Sequence, residues 1–255
     1  MLFFQQRSFI YHPDQSLPDK DALGISHFVN DVQILTQDRL TLRGWFIPPS
    51  STDKPVILFF HGNAGNISHR LSKIIPYTKA GYGILLAEYR GYGGNPSSPT
   101  EDGLYNDARA YYAWLGKRGY SGRDIVLYGE SLGSGVAVQM AMEHSPRALI
   151  LETPYAKLSD PAQRRYFFIP FIEILMHDTF RSIDKIGNIQ APKLFMIAER
   201  DEVLGPDTGL NLYEAAMTPK TLKVFQNAGH NEIYNHGATE TVLDFLSASG
   251  FPSAE

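Results

Sequence analysis

The chain has 255 residues, of which 43% are hydrophobic and 20% are charged, and its 23 basic and 27 acidic side chains leave a net charge of −4. This composition is typical of a globular domain and excludes disordered, collagen-like and coiled-coil proteins. The absence of cysteine excludes disulfides, a thiol nucleophile and cysteine-ligated zinc, and a mildly acidic chain without a basic cluster is not expected to bind nucleic acid.

Short apolar runs bounded by glycine, proline or polar residues predict the strands of a central sheet. Residues 32–35 and 40–47 are joined by the polar Gln37-Asp38-Arg39 and form a predicted antiparallel hairpin. Six later runs are apolar almost throughout, which is typical of parallel strands buried on both faces. These runs cover residues 56–60, 84–88, 125–128, 148–151, 194–198 and 222–225.

Longer stretches with helical periodicity alternate with these strands, and the alternation predicts an α/β domain with a mostly parallel, eight-stranded sheet and helices on both faces. The predicted helices cover residues 68–80, 101–118, 131–144, 207–216 and 238–247. Residues 153–190 interrupt the alternation without a clear strand and carry the aromatic stretch Tyr166-Phe167-Phe168-Ile169-Pro170-Phe171. We therefore expect a single domain, residues 1–255, with a small inserted cap at about 153–190.

One pentapeptide, Gly129-Glu130-Ser131-Leu132-Gly133, matches the GxSxG nucleophile elbow, a tight turn between a strand and a helix that exposes the serine. The predicted strand 125–128 precedes it and an apolar helical stretch follows it, which is the context that the motif requires. The alternative is a glycine-rich turn whose serine only caps the helix. The context favours Ser131 as the nucleophile.

A serine nucleophile needs a neutral imidazole to accept its proton and a carboxylate to orient that imidazole. In chains with this elbow, the acid follows a later strand and the histidine lies in the loop after the last strand. His230 lies in that loop, and His236, just before the final helix, is its rival. Asp201 is the preferred acid, and Glu199 and Glu202 compete with it in the same turn.

Acyl transfer also needs N–H donors for the negative charge that develops on the carbonyl oxygen. The backbone of Leu132, next to the nucleophile, is the first expected donor. The second is expected in the loop His61-Gly62-Asn63-Ala64-Gly65-Asn66, with Asn63 preferred and Ala64 as the alternative. His61 is interpreted as a buried residue that braces this loop, because no second ligand lies at a metal-binding spacing. No metal and no cofactor are expected.

Four further stretches are distinctive, namely His61-Gly62-Asn63-Ala64-Gly65-Asn66-Ile67 with His69-Arg70-Leu71, Tyr89-Arg90-Gly91-Tyr92-Gly93, Gly103-Leu104-Tyr105 and Ala228-Gly229-His230-Asn231. With the elbow, they resemble the alpha/beta-hydrolase superfamily, and within it the serine hydrolases similar to the alpha/beta-hydrolase domain-containing protein 13 type and its yeast and bacterial relatives. The resemblance runs from about Tyr11 to the C-terminus. It implies an alpha/beta-hydrolase fold with Ser131 as nucleophile, Asp201 as acid and His230 as base, which agrees with the reasoning from the residues alone.

The chain departs from these relatives at two places. Many relatives carry a membrane anchor upstream of the stretch that corresponds to Phe9-Ile10-Tyr11-His12-Pro13, which only about eight residues precede here. The acid of the relatives is often followed by Ile-Pro, whereas this turn reads Asp201-Glu202-Val203-Leu204-Gly205-Pro206. No apolar run approaches the roughly 20 residues of a membrane span. We expect a cytoplasmic protein with no transmembrane span. Peripheral membrane contact is compatible with the sequence, and we expect membrane tethering if an upstream anchor has been removed.

The predicted function is a serine hydrolase that cleaves carboxylic esters or thioesters through an acyl-enzyme. Phe167, Phe168 and Phe171 of the cap, with Tyr89 at the site wall, are expected to line a pocket for the acyl group of a small-molecule or lipid-like substrate. The alternatives are a lipid-directed thioesterase or depalmitoylase, a peptidase of the same fold, and an inactive hydrolase-fold scaffold. The aromatic residues of the cap have an alternative role as well, which is to pack the cap onto the core.

Overall fold

The computed structural model describes residues 6–8, 10–165 and 175–248. The strands in these ranges are β1 (His12–Pro13), β2 (Asn30–Leu35), β3 (Thr41–Ile47), β4 (Val56–Phe60), β5 (Ala64–Gly65), β6 (Gly83–Ala87), β7 (Ile125–Glu130), β8 (Ala148–Glu152), β9 (Lys193–Ala198) and β10 (Lys220–Phe225). Eight of them form one sheet in the order β10-β9-β8-β7-β4-β6-β3-β2. The pairs from β10 to β6 are parallel, and β3 pairs antiparallel with both β6 and β2. The predicted fold class, including the hairpin, is confirmed.

Helices cover both faces of this sheet. Those with described bounds are α1 (Leu71–Lys79), α2 (Glu101–Gly116), α3 (Leu132–Glu143), α4 (Ser159–Arg165), α5 (Pro206–Ala215) and α6 (Ala238–Ala248). Buried side chains of α2, α3 and α5 pack on one face, and those of α1 and α6 pack on the other. The first predicted helix differs most from its prediction, because it begins as a 3-10 helix, Ile67–Arg70, before α1.

Consecutive side chains of the parallel strands are buried on opposite faces of the sheet. In β4, Val56, Leu58 and Phe60 pack towards α2, α3 and α5, whereas Ile57 and Phe59 pack towards α1 and α6. All five side chains are inaccessible to solvent. Burial on both faces explains why these segments are apolar throughout instead of alternating with polar residues.

The predicted site residues come from loops at one edge of the sheet. Because β4, β7, β9 and β10 run parallel, their carboxyl ends lie along the same edge. Ser131 follows β7, Asp201 follows β9 and His230 follows β10, while the loop of residues 61–66 follows β4. We refer to residues 61–66 as the first loop. In open parallel sheets, this edge is where ligands bind.

A short parallel pairing that the sequence analysis did not predict joins the N-terminal segment to the first loop. His12 pairs with Ala64 and Pro13 pairs with Gly65, which are the two residues of β5. The N–H of Gly93 also donates to the main-chain oxygen of Asp14 at 2.8 Å. Two-residue strands more than 50 positions apart have no periodic pattern by which they could be predicted.

The interval 153–190, in which a cap was expected, holds helical elements and no strand among its described residues. It contains α4 and the 3-10 helices Ser182–Asp184 and Ile186–Asn188, and its residues 166–174 lie outside the described ranges. Within the described part of the chain, no helix combines the length and apolar character needed to cross a membrane.

Candidate active site

Ser131 lies in a tight turn between β7 and α3. Its backbone has φ 48° and ψ −113°, a region that residues other than glycine rarely adopt. Its N–H donates to the main-chain oxygen of Glu152, at the end of β8, at 2.9 Å. The neighbouring strand therefore holds this serine in a strained conformation.

Two glycines make this turn sterically possible. A β-carbon at Gly129 would lie 2.5 Å from the main-chain oxygen of Gly133. A β-carbon at Gly133 would lie 2.1 Å from the main-chain oxygen of Phe60, the last residue of β4. The glycines of the motif thus allow the start of α3 to pack against the carboxyl end of β4.

The Gly133→Ala substitution is expected to lower the free energy of unfolding by about 3 kcal/mol, because the atoms that the new methyl group meets belong to backbone. Gly116→Ala is the matched control, since nothing lies within 4 Å of a β-carbon at this last residue of α2. That control is expected to change the stability by less than about 1 kcal/mol. Urea unfolding of both variants checks the prediction, and equal midpoints would contradict it.

His230 and Asp201 reach Ser131 from the loops after β10 and β9. His230 Nε2 lies 3.0 Å from Ser131 Oγ, and His230 Nδ1 lies 2.7 Å from Asp201 Oδ2. The histidine is 6% exposed and the aspartate 8%. The structure brings the three predicted residues together in one continuous chain of hydrogen bonds.

The hydrogen bonds of Asp201 determine which ring nitrogen of His230 carries the proton. Its second oxygen, Oδ1, accepts the N–H groups of Val203 and Leu204 at 2.9 and 2.8 Å. Burial raises the pKa of Asp201, but the hydrogen bond with His230, together with these two N–H groups, leaves the pKa below its ordinary value. An ionised carboxylate can only accept, so Nδ1 of His230 carries the proton and Nε2 is free to accept from the Ser131 hydroxyl.

The rival acids and the rival histidine make other contacts. Glu199 accepts the N–H of Asn227 at 2.7 Å. Glu202 accepts the backbone N–H of His230 at 3.2 Å, so it contacts the main chain of this histidine. His236 is exposed at the end of a 3-10 helix. Of the three carboxylates in the turn, Asp201 is the one hydrogen-bonded to the imidazole of His230.

The two expected oxyanion donors lie on the elbow and in the first loop. Leu132 is the first residue of α3, so its N–H has no acceptor within the helix. Asn63 is half-buried, and its Oδ1 accepts the N–H of His12 at 2.9 Å and the hydroxyl of Tyr92 at 3.1 Å. These bonds fix the side chain of Asn63 within the first loop. Binding of an oxyanion by the backbone N–H groups of Asn63 and Leu132 stays a prediction.

His61 and Tyr89 support the first loop from inside the core. His61 Nε2 lies 2.9 Å from Glu88 Oε1, and the other oxygen of Glu88 accepts the N–H of Ile67 at 2.9 Å. Tyr89 was expected at the pocket wall, but it is fully buried and its hydroxyl donates to the main-chain oxygen of His61 at 3.1 Å. Across the residues that the structure describes, no group of three or more His, Cys, Asp or Glu side chains is arranged to hold a metal ion.

A cavity of about 450 Å³ opens beside Asp201 and Asn63. Its lining is mostly aliphatic and comes from the N-terminal segment, α4 with its flanking residues, and the turn after the acid. Among the lining residues are Ile10, Leu158, Pro161, Met176, Val203 and Leu204. Phe167, Phe168 and Phe171, which were expected to line a pocket, lie outside the described residues.

A cluster of four charged side chains next to the elbow, three of them buried and Lys73 partly buried, was missed by the sequence analysis. Glu130, which precedes Ser131, pairs with Arg70 at 2.9 Å and with Lys73 at 3.0 Å. Lys73 also pairs with Glu152 at 2.6 Å. The available signal was the acidic residue at the end of a buried strand, because a buried carboxylate needs a cation beside it. Two basic residues three positions apart lie on one helical face and could provide that cation.

Comparisons with known proteins agree with this architecture. Residues 55–171 match the family model of the alpha/beta hydrolase fold. The chain is 32% identical to human alpha/beta hydrolase domain-containing protein 17B over 207 residues, which are 79% of this chain and 69% of that protein. It is 30% identical to the lysophosphatidylserine lipase ABHD12 of Danio rerio over 197 residues, which are 70% of this chain and 51% of the lipase.

Among solved structures, the esterase Pf2001 of Pyrococcus furiosus has a similar fold, with a TM-score of 0.74 and 22% sequence identity over 94% of this chain and 100% of that chain. The likeness therefore extends over nearly the whole chain and is not limited to the elbow. The relatives support a hydrolase activity in general. By its sequence and its fold, the chain belongs to the alpha/beta-hydrolase superfamily.

Proposed function

We propose that this protein is a serine hydrolase that cleaves carboxylic esters or thioesters through an acyl-enzyme intermediate. The observation that carries the proposal is the continuous chain of hydrogen bonds from Asp201 through His230 to the hydroxyl of Ser131. The strained backbone of the serine supports it as well, because strain of this kind is concentrated at functional sites. One relative, the ABHD12 protein, is named as a lipase.

In the proposed reaction, His230 Nε2 takes the proton of the Ser131 hydroxyl while Oγ attacks the carbonyl carbon of the bound substrate. Asp201 holds the imidazole in place and stabilises the imidazolium ion. The N–H groups of Leu132 and Asn63 bind the oxyanion that forms. His230 then gives its proton to the leaving alcohol or thiol, and a water molecule activated by the same imidazole releases the acid.

The mostly aliphatic cavity beside Asp201 is proposed to hold the acyl group. Its volume, about 450 Å³, lies within the usual range of ligand pockets. Asn63 and Asp201 belong to its lining, together with the charged Arg164 and Glu202. Because Asp201 is hydrogen-bonded to His230, the cavity lies on the same side of the sheet as the proposed reacting groups. Because eight of the twelve lining residues are apolar or glycine, we propose an apolar acyl chain as the occupant.

Labelling with a fluorophosphonate, followed by mass spectrometry to locate the adduct, tests the proposed function. We expect a single adduct on Ser131. Correctly folded protein that forms no adduct would support the inactive scaffold instead. Turnover of an ester, a thioester and an anilide with the same acyl group then identifies the bond, and comparable rates for the anilide and the ester would support a peptidase.

For nitrophenyl esters, kcat/KM is expected to rise from acetyl to octanoyl by up to about fourfold per added methylene, because moving each CH₂ from water into an aliphatic cavity gains about 0.8 kcal/mol. Leu158 lines the cavity, so Leu158→Ala should weaken this dependence on chain length. Met217 is 53% exposed and does not line the cavity, so Met217→Ala should leave the dependence unchanged. Initial rates below the micelle-forming concentration of each ester provide the measurement. A steep preference for acetyl or butyryl esters would contradict the apolar pocket.

A further inference from the structure

Arg70 is buried between the first loop and the elbow, and its guanidinium group binds both. Nε and Nη2 donate to the two carboxylate oxygens of Glu130 at 2.9 and 3.2 Å. Nη1 donates to the main-chain oxygen of Ala64 at 2.7 Å. One side chain therefore connects the residue before Ser131 with the loop that contains Asn63.

The packing leaves little room for this connection to move. A β-carbon at Gly62 would lie 3.2 Å from Glu130 Oε1 and 3.3 Å from Arg70 Nη2, and one at Gly65 would lie 3.0 Å from Arg70 Nη1. The ion pair is thus in contact with the backbone of the first loop. The Arg70 and Glu130 side chains are only 10% and 8% exposed, so water hardly competes with these contacts.

Lys73 extends the same cluster to the other side of the elbow. Its Nζ lies 3.0 Å from Glu130 and 2.6 Å from Glu152, whose main-chain oxygen accepts the N–H of Ser131. Burial by itself would raise the pKa of Glu130, but the positive charges of Lys73 and Arg70 outweigh burial and hold this pKa well below its ordinary value. Two cations and two carboxylates therefore compensate each other next to the nucleophile.

We propose that Arg70 is a positioning residue of the oxyanion hole, which sets the distance between the Leu132 N–H on the elbow and the Asn63 N–H in the first loop. The inference rests on the proposed function. Donors of this kind must be held to within about 0.5 Å of the productive position. Lysine could not replace Arg70, because an ammonium group cannot bind both oxygens of Glu130 and reach Ala64 at the same time.

The test is the Arg70→Lys variant. We expect kcat/KM for an ester substrate to fall by about 10- to 100-fold while KM changes less than about twofold. The affinity for a trifluoromethyl ketone with the same acyl chain should fall by the same factor, because its oxygen becomes an anion when Ser131 adds to the carbonyl carbon. The pH at which kcat/KM declines on the acid side should not move, since Asp201 and His230 keep their contacts.

Arg90→Lys is the matched control, because Arg90 is another buried arginine, paired with Asp107 and Asp38. It should lower the unfolding temperature without weakening ketone binding relative to KM. If Arg70→Lys behaves in the same way as this control, the inference is overturned.

Should the Arg70→Lys chain fail to fold, Glu130→Gln is measured by the same two assays, because it keeps the size of the side chain and removes its charge. The same loss of kcat/KM and ketone affinity is expected at unchanged KM, and an unaffected variant would overturn the inference. Wild-type protein that hydrolyses no ester and forms no adduct on Ser131 would refute the proposed function itself. That result would be known before any variant of Arg70 is examined.

Discussion

The Ser131→Ala variant is expected to lose about 10⁶-fold in kcat for ester hydrolysis and to form no fluorophosphonate adduct. The reason is that the variant lacks the oxygen that would attack the carbonyl carbon, so the remaining groups can only orient a water molecule. Steady-state rates at saturating ester, with mass spectrometry of the labelled protein, measure both effects.

Ser134→Ala is the matched control for this prediction. Ser134 lies one helical turn after Ser131, and its buried hydroxyl has no hydrogen-bond partner within the described part of the chain. Its removal should change kcat by less than about threefold, since a hydroxyl without a partner contributes little to the fold. A Ser131→Ala protein that retains more than a few per cent of the activity would show that another residue is the nucleophile.

The Asp201→Asn variant is expected to lose about 10⁴-fold in kcat with little change in KM. The asparagine oxygen can still accept the N–H groups of Val203 and Leu204, but its NH₂ group would then face His230 Nδ1 as a donor. The imidazole would be held with its proton on Nε2, where it can no longer accept from Ser131. Kinetics across a range of ester concentrations separate kcat from KM.

Glu199→Gln is the control for the acid, because Glu199 is exposed and accepts a backbone N–H of Asn227. It should retain activity within about threefold. Glu202 provides a sharper comparison, since it accepts the backbone N–H of His230. A larger loss of kcat for Glu202→Gln than for Asp201→Asn would contradict the assignment of the acid.

Most of the fold could be predicted from the sequence because the signals are local. A strand buried on both faces must be apolar along its whole length, so segments such as Val56–Phe60 are recognisable without knowledge of their neighbours. The elbow is recognisable as a pentapeptide, although the contact that requires Gly133 is with the main chain of Phe60, which is distant in the sequence. The alternation of strands and helices then leaves few possible topologies.

Choices among similar residues depended on geometry that no local pattern contains. Asp201 and Glu202 are adjacent, and only the turn that directs one carboxylate to the ring of His230 distinguishes them. Tyr89 follows a strand, as a residue at a site wall would, yet its side chain enters the core and supports His61. The direction of a side chain after a strand depends on the packing of the whole layer.

By itself, the sequence determined the central sheet, the GxSxG turn, the order of the proposed nucleophile, acid and base along the chain, and membership of a hydrolase superfamily. Only the tertiary structure decided the distances among Ser131, His230 and Asp201 and the contacts of Arg70 with Glu130 and Ala64. The physical reason is the range of the interactions. Burial and turn sterics act on neighbouring residues and leave a pattern in the sequence, whereas hydrogen bonds between loops from different strands depend on how the strands are arranged in the sheet.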